Sequence, residues 1–386
     1  PTVNTVGQST NVNGGAFGAL ITNAVSNFQA NPNLKPELVE EFELGVDAGL
    51  FEDAIGLTAS VYKRETNDMI VGKGLPTSTG FTSTLDNIGE VESEGVEIDL
   101  DVKMLKLLPL SVDGLSWNTR VNFTKSESIV TKQDDDQILF GGGVDAGNVA
   151  IEGFPLGILI GGRIERNDDG EYVVNASGNY NSEFSIAIDD NGNEVPLGTE
   201  GSRQVSPYLG NPEPDFVMNY INTLQYKNFT LGFHFQHVSG GDMYSSTIGV
   251  LLGRGNVRTD RRETFILNGV NDDGSPNTIQ INNSQYYFSN ILNGPAELSV
   301  FDASVIRLQE VSFAYEFPQK FLDKTPFGDL SLTFAGYNLW HDAYNTPKEV
   351  NFDPNVAGAG IGNSRGFDYM NGPSTKRYGL SLKASF

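Results

Sequence analysis

Cysteine is absent from the 386 residues of this chain, histidine occurs three times and tryptophan twice. The absence of cysteine rules out disulfide bridges; it agrees with an oxidising cell envelope and with many other settings. Positive charge is also scarce, because 25 lysines and arginines stand against 49 aspartates and glutamates, for a formal net charge of −24. Such a chain repels phosphate backbones, so the charge argues against nucleic acid as a partner.

Long apolar runs are missing too. The sequence has no stretch of about 18 consecutive apolar residues and no helical apolar spacing, which excludes helical membrane spans. If this chain crosses a bilayer, it does so with strands. The first 30 residues are rich in Asn, Gly, Thr and Ser, contain neither an initial Met nor a signal peptide, and are typical of a loop. We therefore expect further sequence before Pro1.

Apolar and polar residues alternate along the last ten residues, 377–386. One face of this segment carries Tyr378, Leu380, Leu382, Ala384 and Phe386. The same alternation predicts eight further strands, at residues 41–51, 55–64, 96–103, 115–124, 216–226, 229–235, 311–317 and 330–334. Asn222 interrupts the apolar face of the segment 216–226, which makes that strand the least regular of the nine.

Short and long connections alternate between these strands. The tight turns at Asp53 and Lys227 contrast with the long segments 125–214, 237–302 and 341–375. Transmembrane β-barrels have this asymmetry, with short periplasmic turns and long extracellular loops, whereas a soluble β-sandwich is not expected to separate its loops so cleanly. The pattern predicts an all-β transmembrane antiparallel β-barrel.

The number of strands adds an expectation about the whole protein. Nine strands entering from the cell exterior cannot complete a bacterial barrel, which has an even number. We therefore expect residues 38–386 to be the C-terminal portion of a larger barrel, preceded by an extracellular loop at residues 1–37. Within the largest loop, residues 148–163 also look strand-like, but a transmembrane strand there would break the alternation of short and long connections.

Aromatic side chains cluster near the predicted strand ends. Amphipathic rings favour the boundary between membrane and water, although ordinary core packing would place aromatics in strands as well. The predicted membrane-interface and terminal-strand residues are Trp117, Tyr226, Phe229, Tyr315, Phe317, Tyr378, Leu380, Leu382 and Phe386.

Several motifs along the chain resemble those of one family. They are NPNLKPE at 31–37, TNDMIV at 66–71, DNIGEVESEGVEIDL at 86–100, EGFPLG at 152–157, LGNPEPDF at 209–216, YKNFTLGFHFQHVSGGDMY at 226–244, VIRLQEVSFAYEFP at 305–318 and NLW at 338–340. In this order and spacing they resemble the SusC/RagA-type TonB-dependent outer-membrane transporters of the Bacteroidota. The segment 353–355 departs from the acidic ending that the family pattern leads us to expect.

The resemblance implies a plugged barrel of about 22 strands in the bacterial outer membrane. It also implies a SusD-like surface lipoprotein as partner, uptake of oligosaccharides or peptides, and energy from TonB-ExbB-ExbD acting on an N-terminal part that this sequence does not show. The other hypothesis is a SusC-like structural subunit of a larger outer-membrane secretion or assembly complex.

An arginine-rich segment in this acidic chain is the candidate substrate or partner loop. Its residues, with nearby aromatics and the tryptophan of the NLW motif, are Arg254, Arg258, Arg261, Arg262, Tyr286, Tyr287 and Trp340. Guanidinium forks and flat rings suit carboxylates, peptide carbonyls or sugar rings. The other interpretation is that they hold the long loop together or contact a partner.

Signals for a metal ion or an enzyme are weak. The cluster Asp189, Asp190, Asn193 and Glu194 is the best candidate for structural calcium, but it lacks EF-hand spacing and turn chemistry explains it as well. His234 and His237 have opposite parity in a strand and cannot chelate one ion together without a bulge. No catalytic motif is present, so we expect neither an enzyme nor a cofactor.

Overall fold

The computed structural model describes residues 7–9, 22–24, 28–108, 112–133, 138–142, 146–257, 264–356 and 365–386. Nine long strands form one antiparallel sheet. They are β1 (Leu38–Leu50), β2 (Ile55–Gly74), β3 (Ser83–Lys103), β4 (Leu115–Gln133), β5 (Pro214–Tyr226), β6 (Phe229–Gly240), β7 (Val305–Glu316), β8 (Asp329–Asp342) and β9 (Arg377–Ser385).

Each long strand pairs with its neighbours in sequence, so the sheet runs from β1 to β9 without a crossover. The predicted segment that contains Asn222 takes its place as β5, paired with β4 and β6 along its length. A two-residue strand, Phe28–Gln29, adds to β3 in parallel at Ser83 and Thr84. The prediction of nine consecutive antiparallel strands is confirmed, while a closed barrel of 22 strands stays a prediction.

One face of the sheet is apolar and exposed. Phe42 in β1 is 72% exposed and Leu380 in β9 is 73% exposed, and many other apolar residues of the same face are also open. Removing apolar surface from water is favourable by about 25 cal/mol of free energy per Å². A continuous exposed apolar face of this kind is therefore expected to contact an apolar solvent. The opposite face carries ion pairs such as Arg64–Glu41, at 2.5 Å, and Arg120–Asp101, at 2.8 Å.

Charged residues end the apolar face on the side of the long connections. Beyond the paired Val61 and Val96, the same face continues with Lys63 opposite Glu94, and Lys63 also lies 2.8 Å from Glu92. The strands nevertheless continue: β4 reaches Gln133, although the alternation predicted a loop from residue 125, and β6 and β8 also run past the predicted loop starts. Where a strand extends beyond the apolar solvent, water can contact both of its faces. The alternation of apolar and polar residues therefore ends before the strand ends.

Short connections join the long strands at the other end of the sheet. Between β1 and β2, Phe51, Glu52 and Asp53 all have positive φ, which closes the turn within four residues. Lys227, also at positive φ, joins β5 to β6. The other two short connections contain the helices Met104–Leu107 and Gln319–Leu322.

The long connections contain the remaining elements. Short strands lie at Gly7–Ser9, Thr22–Ala24, Ile138–Gly142, Ala146–Ala150, Ile158–Gly161, Arg163–Ile164, Ser182–Glu183, Ile186–Ile188, Glu194–Val195, Arg203–Val205, Tyr208–Gly210, Asp242–Ser245, Thr264–Ile266, Gln280–Asn282, Val300–Asp302 and Phe367–Asp368. Helices and helical turns lie at Thr77–Thr79, Ser246–Gly253, Asn283–Tyr286, Tyr287–Ile291, Ala296–Ser299, Lys348–Val350 and Pro354–Val356. No helix in the described part of the chain is long and apolar enough to span a membrane.

Candidate functional site

The long connections fold into a packed layer at the ends of the long strands opposite the short turns. Its largest apolar core joins Val149, Ile151, Ile158, Ile160, Ile186, Ile188 and Val205, all buried. A four-stranded sheet supports it, in the order Tyr208–Gly210, Ile158–Gly161, Ala146–Ala150, Ile138–Gly142. The strand-like segment 148–163 therefore belongs to this layer and not to the main sheet, as the sequence predicted. The layer is a packed platform for surface groups.

An open cleft on this platform contains part of the predicted arginine-rich site. The Arg254 guanidinium carbon lies 4.3 Å from the centre of the Tyr287 ring, a cation–π contact. The cleft has a volume of about 400 Å³. Its walls are Arg254, Asn256, Asn283, Ser284, Tyr287 and Phe288. Phe288 is 52% exposed, so the cleft offers an open aromatic face, amides and one guanidinium.

Buried hydrogen bonds fix the helical segment that carries this cleft. Asn290 is fully buried; its Nδ2 donates to Asn179 Oδ1, at 3.0 Å, and its Oδ1 accepts from the backbone N–H of Tyr180, at 2.9 Å. Burial of the Tyr180 ring raises the pKa of its hydroxyl to about 12. The side chain of Asn282 caps the helix Asn283–Tyr286 by accepting from Gln285 N–H. The connections 134–213 and 241–304 are thus locked together beneath the cleft.

Tyr286 and Trp340, the other described residues of that predicted site, do not join the cleft. Tyr286 packs edge-on against Phe265, with ring centres 5.5 Å apart. Trp340 lies in β8, 48% exposed, outside the cleft walls. Arg258, Arg261 and Arg262 lie outside the described residues. Of the four predicted residues that the structure describes, it therefore brings Arg254 and Tyr287 together, and it adds Phe288.

The predicted calcium cluster forms a self-contained turn. Asp189 Oδ1 accepts from the backbone N–H groups of Asn191 and Asn193, and the bond from Asn193 is the largest cause of a lowered Asp189 pKa. Glu194 binds Arg163, at 2.5 Å, which holds the pKa of this carboxyl below its usual value. Among the described residues, no group of three or more His, Asp or Glu side chains could hold a metal ion. Turn geometry accounts for the cluster without calcium, which stays an untested prediction.

Two buried carboxylates that the sequence did not reveal hold the long connections in place. One binds to the sheet and the other to a helix of another connection. Asp353 Oδ1 accepts from Arg307, at 2.9 Å, and the two residues are only 7% and 3% exposed. Asp368 is fully buried and accepts from the Ser245 hydroxyl and the Thr247 N–H. The first pair ties the connection 343–376 to β7. The second ties it to the helix Ser246–Gly253.

Comparison with known proteins shows what this architecture is similar to. Residues 3–157 match the model described as TonB dependent receptor-like, beta-barrel. The chain is 26% identical over 378 residues to TonB-dependent receptor P3 of Formosa agariphila, an alignment that covers 92% of this chain and 35% of the relative. TonB-dependent receptor SusC of Bacteroides thetaiotaomicron is 26% identical over 214 residues, covering 53% of this chain and 19% of SusC. These matches confirm the resemblance to SusC-like TonB-dependent receptors that the sequence motifs indicated.

A solved structure supports the fold of this SusC-like chain. The structure of the RagAB peptide transporter superposes with a TM-score of 0.61 at 17% identity, covering 99% of this chain and 39% of that one. Among the curated relatives, the SusC-like chain spans about a third of the length of those that it matches first. Its place is the bacterial outer membrane, and the proteins that it matches are TonB-dependent receptors and transporters.

Several predicted girdle residues of the SusC-like sheet lie next to the short turns, whereas Tyr378 lies at the start of β9, after a long connection. Tyr226 and Phe229 flank the β5–β6 turn, and Phe229 lies 4.8 Å from Tyr315, which lies 5.0 Å from Phe317, between ring centres. Tyr378, Leu380, Leu382 and Phe386 are all exposed. This placement is consistent with a membrane interface at that end, and the girdle itself stays a prediction.

Asn222 is the polar residue that interrupts the apolar face of β5, and Trp117 is one of its hydrogen-bond partners. The Trp117 indole N–H donates to Asn222 Oδ1, at 2.7 Å, and the Thr119 hydroxyl donates to the same oxygen, at 2.8 Å. Asn222 is 1% exposed, so these neighbours remove its amide from the lipid. The Asn222 carbonyl oxygen is thus paired twice, whereas its buried Nδ2 has no hydrogen-bond partner among the described residues.

Proposed function

We propose that this SusC-like chain is part of a transporter that imports peptides or oligosaccharides across the outer membrane. Its partners in this proposal are a SusD-like surface lipoprotein and the TonB-ExbB-ExbD system. The observation that carries the proposal is the alignment of nearly the whole chain with TonB-dependent receptors, over a sheet whose one apolar face is exposed. The solved neighbour described as a peptide transporter favours peptides between the two substrate classes.

The platform beyond the sheet supplies groups suited to such substrates. The cleft of Arg254 and Phe288 combines a guanidinium, which binds carboxylates and carbonyls, with an open ring, which stacks on flat or apolar groups. Because the platform is braced by buried hydrogen bonds, these groups are positioned before a ligand arrives. The cleft is our candidate contact for the oligomer or for the lipoprotein.

Affinity purification of the native complex tests the partnership. We expect the tagged full-length protein that carries this chain to retain one SusD-like lipoprotein. The Arg254→Ala variant should retain less lipoprotein or take up less of a labelled mixed-peptide pool. The matched control is Lys320→Ala, which lies on a short connection at the other end of the sheet and should change neither. Recovery of several secretion or assembly subunits without such a lipoprotein, together with normal peptide and oligosaccharide uptake in a deletion strain, would contradict the proposal.

A further inference from the structure

A second cavity lies where two long connections meet the end of β8. It has a volume of about 380 Å³, at the lower end of the range of about 300–1,000 Å³ for small-molecule sites. The helix Ser246–Gly253 contributes Thr247 and Leu251, β8 contributes His341, and the connection 343–376 contributes Phe352 and Lys376. We name it the loop-junction cavity. It is lined by different residues from the Arg254 cleft.

Two side chains that line this cavity have a buried polar atom without a partner. Thr247 Oγ1 and His341 Nε2 are inaccessible to solvent and make no hydrogen bond within the described part of the chain. An unpaired buried polar group costs about 1–3 kcal/mol, and such groups are uncommon in native structures. The neighbouring groups are satisfied: the Thr247 N–H donates to Asp368, and Asn338 Nδ2 donates to the Thr375 carbonyl. Because neither atom has open surface, a polar group of a ligand meets them only when the Thr247 and His341 side chains turn toward the cavity.

The charges on the described lining favour an anion. Asp353 is the carboxylate there, and its Oδ1 is paired with Arg307 behind the cavity wall. Lys376 stands at the exposed rim without an ion-pair partner among the described residues. The uncompensated charge is thus positive, in a chain whose net charge is −24. Leu251, Val350 and Phe352 supply apolar walls below it.

We propose that the loop-junction cavity binds a small carboxylate with an apolar body. The Lys376 ammonium pairs with the carboxylate, and the apolar body packs on Leu251 and Phe352. The Thr247 and His341 side chains turn toward the bound ligand, where the hydroxyl and the ring meet its second polar group. Because the walls come from two connections and one strand, a bound ligand bridges the helix Ser246–Gly253 to the connection 343–376. This site is independent of the proposed transport of oligomers.

Titration calorimetry on the full-length protein in lipid nanodiscs tests the site, with N-acetyl-leucine as the probe. N-acetyl-leucinamide has the same shape without the charge. We expect saturable binding of the acid in the micromolar to millimolar range and binding about tenfold weaker for the amide. Lys376→Gln should weaken binding of the acid to a similar degree, whereas Lys383→Gln, on β9 and outside the cavity lining, should not change it.

Thr247→Val separates ligand recognition from folding. Valine keeps the shape of threonine and removes a hydroxyl that has no partner among the described residues. The melting temperature should therefore not fall, while the affinity for the acid should drop about fivefold. The proposal is wrong if the wild type binds neither probe, if acid and amide bind equally, or if Thr247→Val binds the acid as tightly as the wild type. A lower melting temperature for Thr247→Val with unchanged affinity would show that the hydroxyl serves only the fold.

Discussion

Replacing Leu380 with arginine is expected to lower the free energy of unfolding of the membrane-inserted protein by about 2–4 kcal/mol. Leu380 lies at the middle of β9, pairs with Phe334 and is 73% exposed on the apolar face. In lipid an exposed guanidinium there loses its hydration, and in water the same substitution would be almost neutral. Urea unfolding of the protein in lipid vesicles measures the difference.

Ser381→Arg is the matched control for this prediction. Ser381 is the next residue of the same strand, pairs with Thr333 and points to the polar face. We expect a change within about 0.5 kcal/mol, because the new charge meets water or other polar side chains. Equal losses for the two variants would mean that the two faces of β9 do not have different solvents.

Asp353→Ala is expected to cost about 3–5 kcal/mol, the second large effect. The substitution leaves the Arg307 guanidinium, 3% exposed, without its carboxylate. It also removes the acceptor for the Asn355 N–H. We expect faster hydrogen exchange in the described parts of the connection 343–376, together with a lower unfolding midpoint.

A double variant distinguishes an ion-pair effect from simple loss of packing. Arg307→Met combined with Asp353→Leu replaces both charges with apolar groups of similar size, and we expect it to recover most of the lost stability. Glu349→Ala, at an exposed position of the same connection, should have little effect. A stability loss for the double variant as large as that of Asp353→Ala would contradict the ion-pair explanation.

The sequence predicted the strands well because two solvents impose a strict period of two on them. Leu380 and Ser381 are consecutive in the chain and need opposite properties, and this requirement is visible without any structure. The strand ends were less predictable. Lys63 and Glu94 are still paired in the sheet, yet both lie on the face that is apolar further along, so the pattern fades while the backbone pairing continues.

The sites were predicted only where composition was unusual. Arginine and aromatic residues in an acidic chain pointed to Arg254 and Tyr287, which the structure brings into contact. Arg307 and Asp353 are 46 residues apart and have no local pattern, so only the folded chain shows the pair. Thr247 and His341 likewise meet at one cavity solely through the packing of two connections on β8.

The central claim is that one face of the nine-stranded sheet contacts lipid, and a single-cysteine scan of β9 tests it most directly. Because the chain has no cysteine, each introduced thiol reports only on its own position. Nitroxide labels at residues 377–385 of the membrane-inserted protein can be compared for collision with oxygen, which concentrates in lipid, and with a water-soluble nickel chelate. Our account predicts oxygen maxima at Tyr378, Leu380, Leu382 and Ala384, with nickel maxima at the intervening positions. Uniform access of the nickel chelate to all nine labels would contradict it.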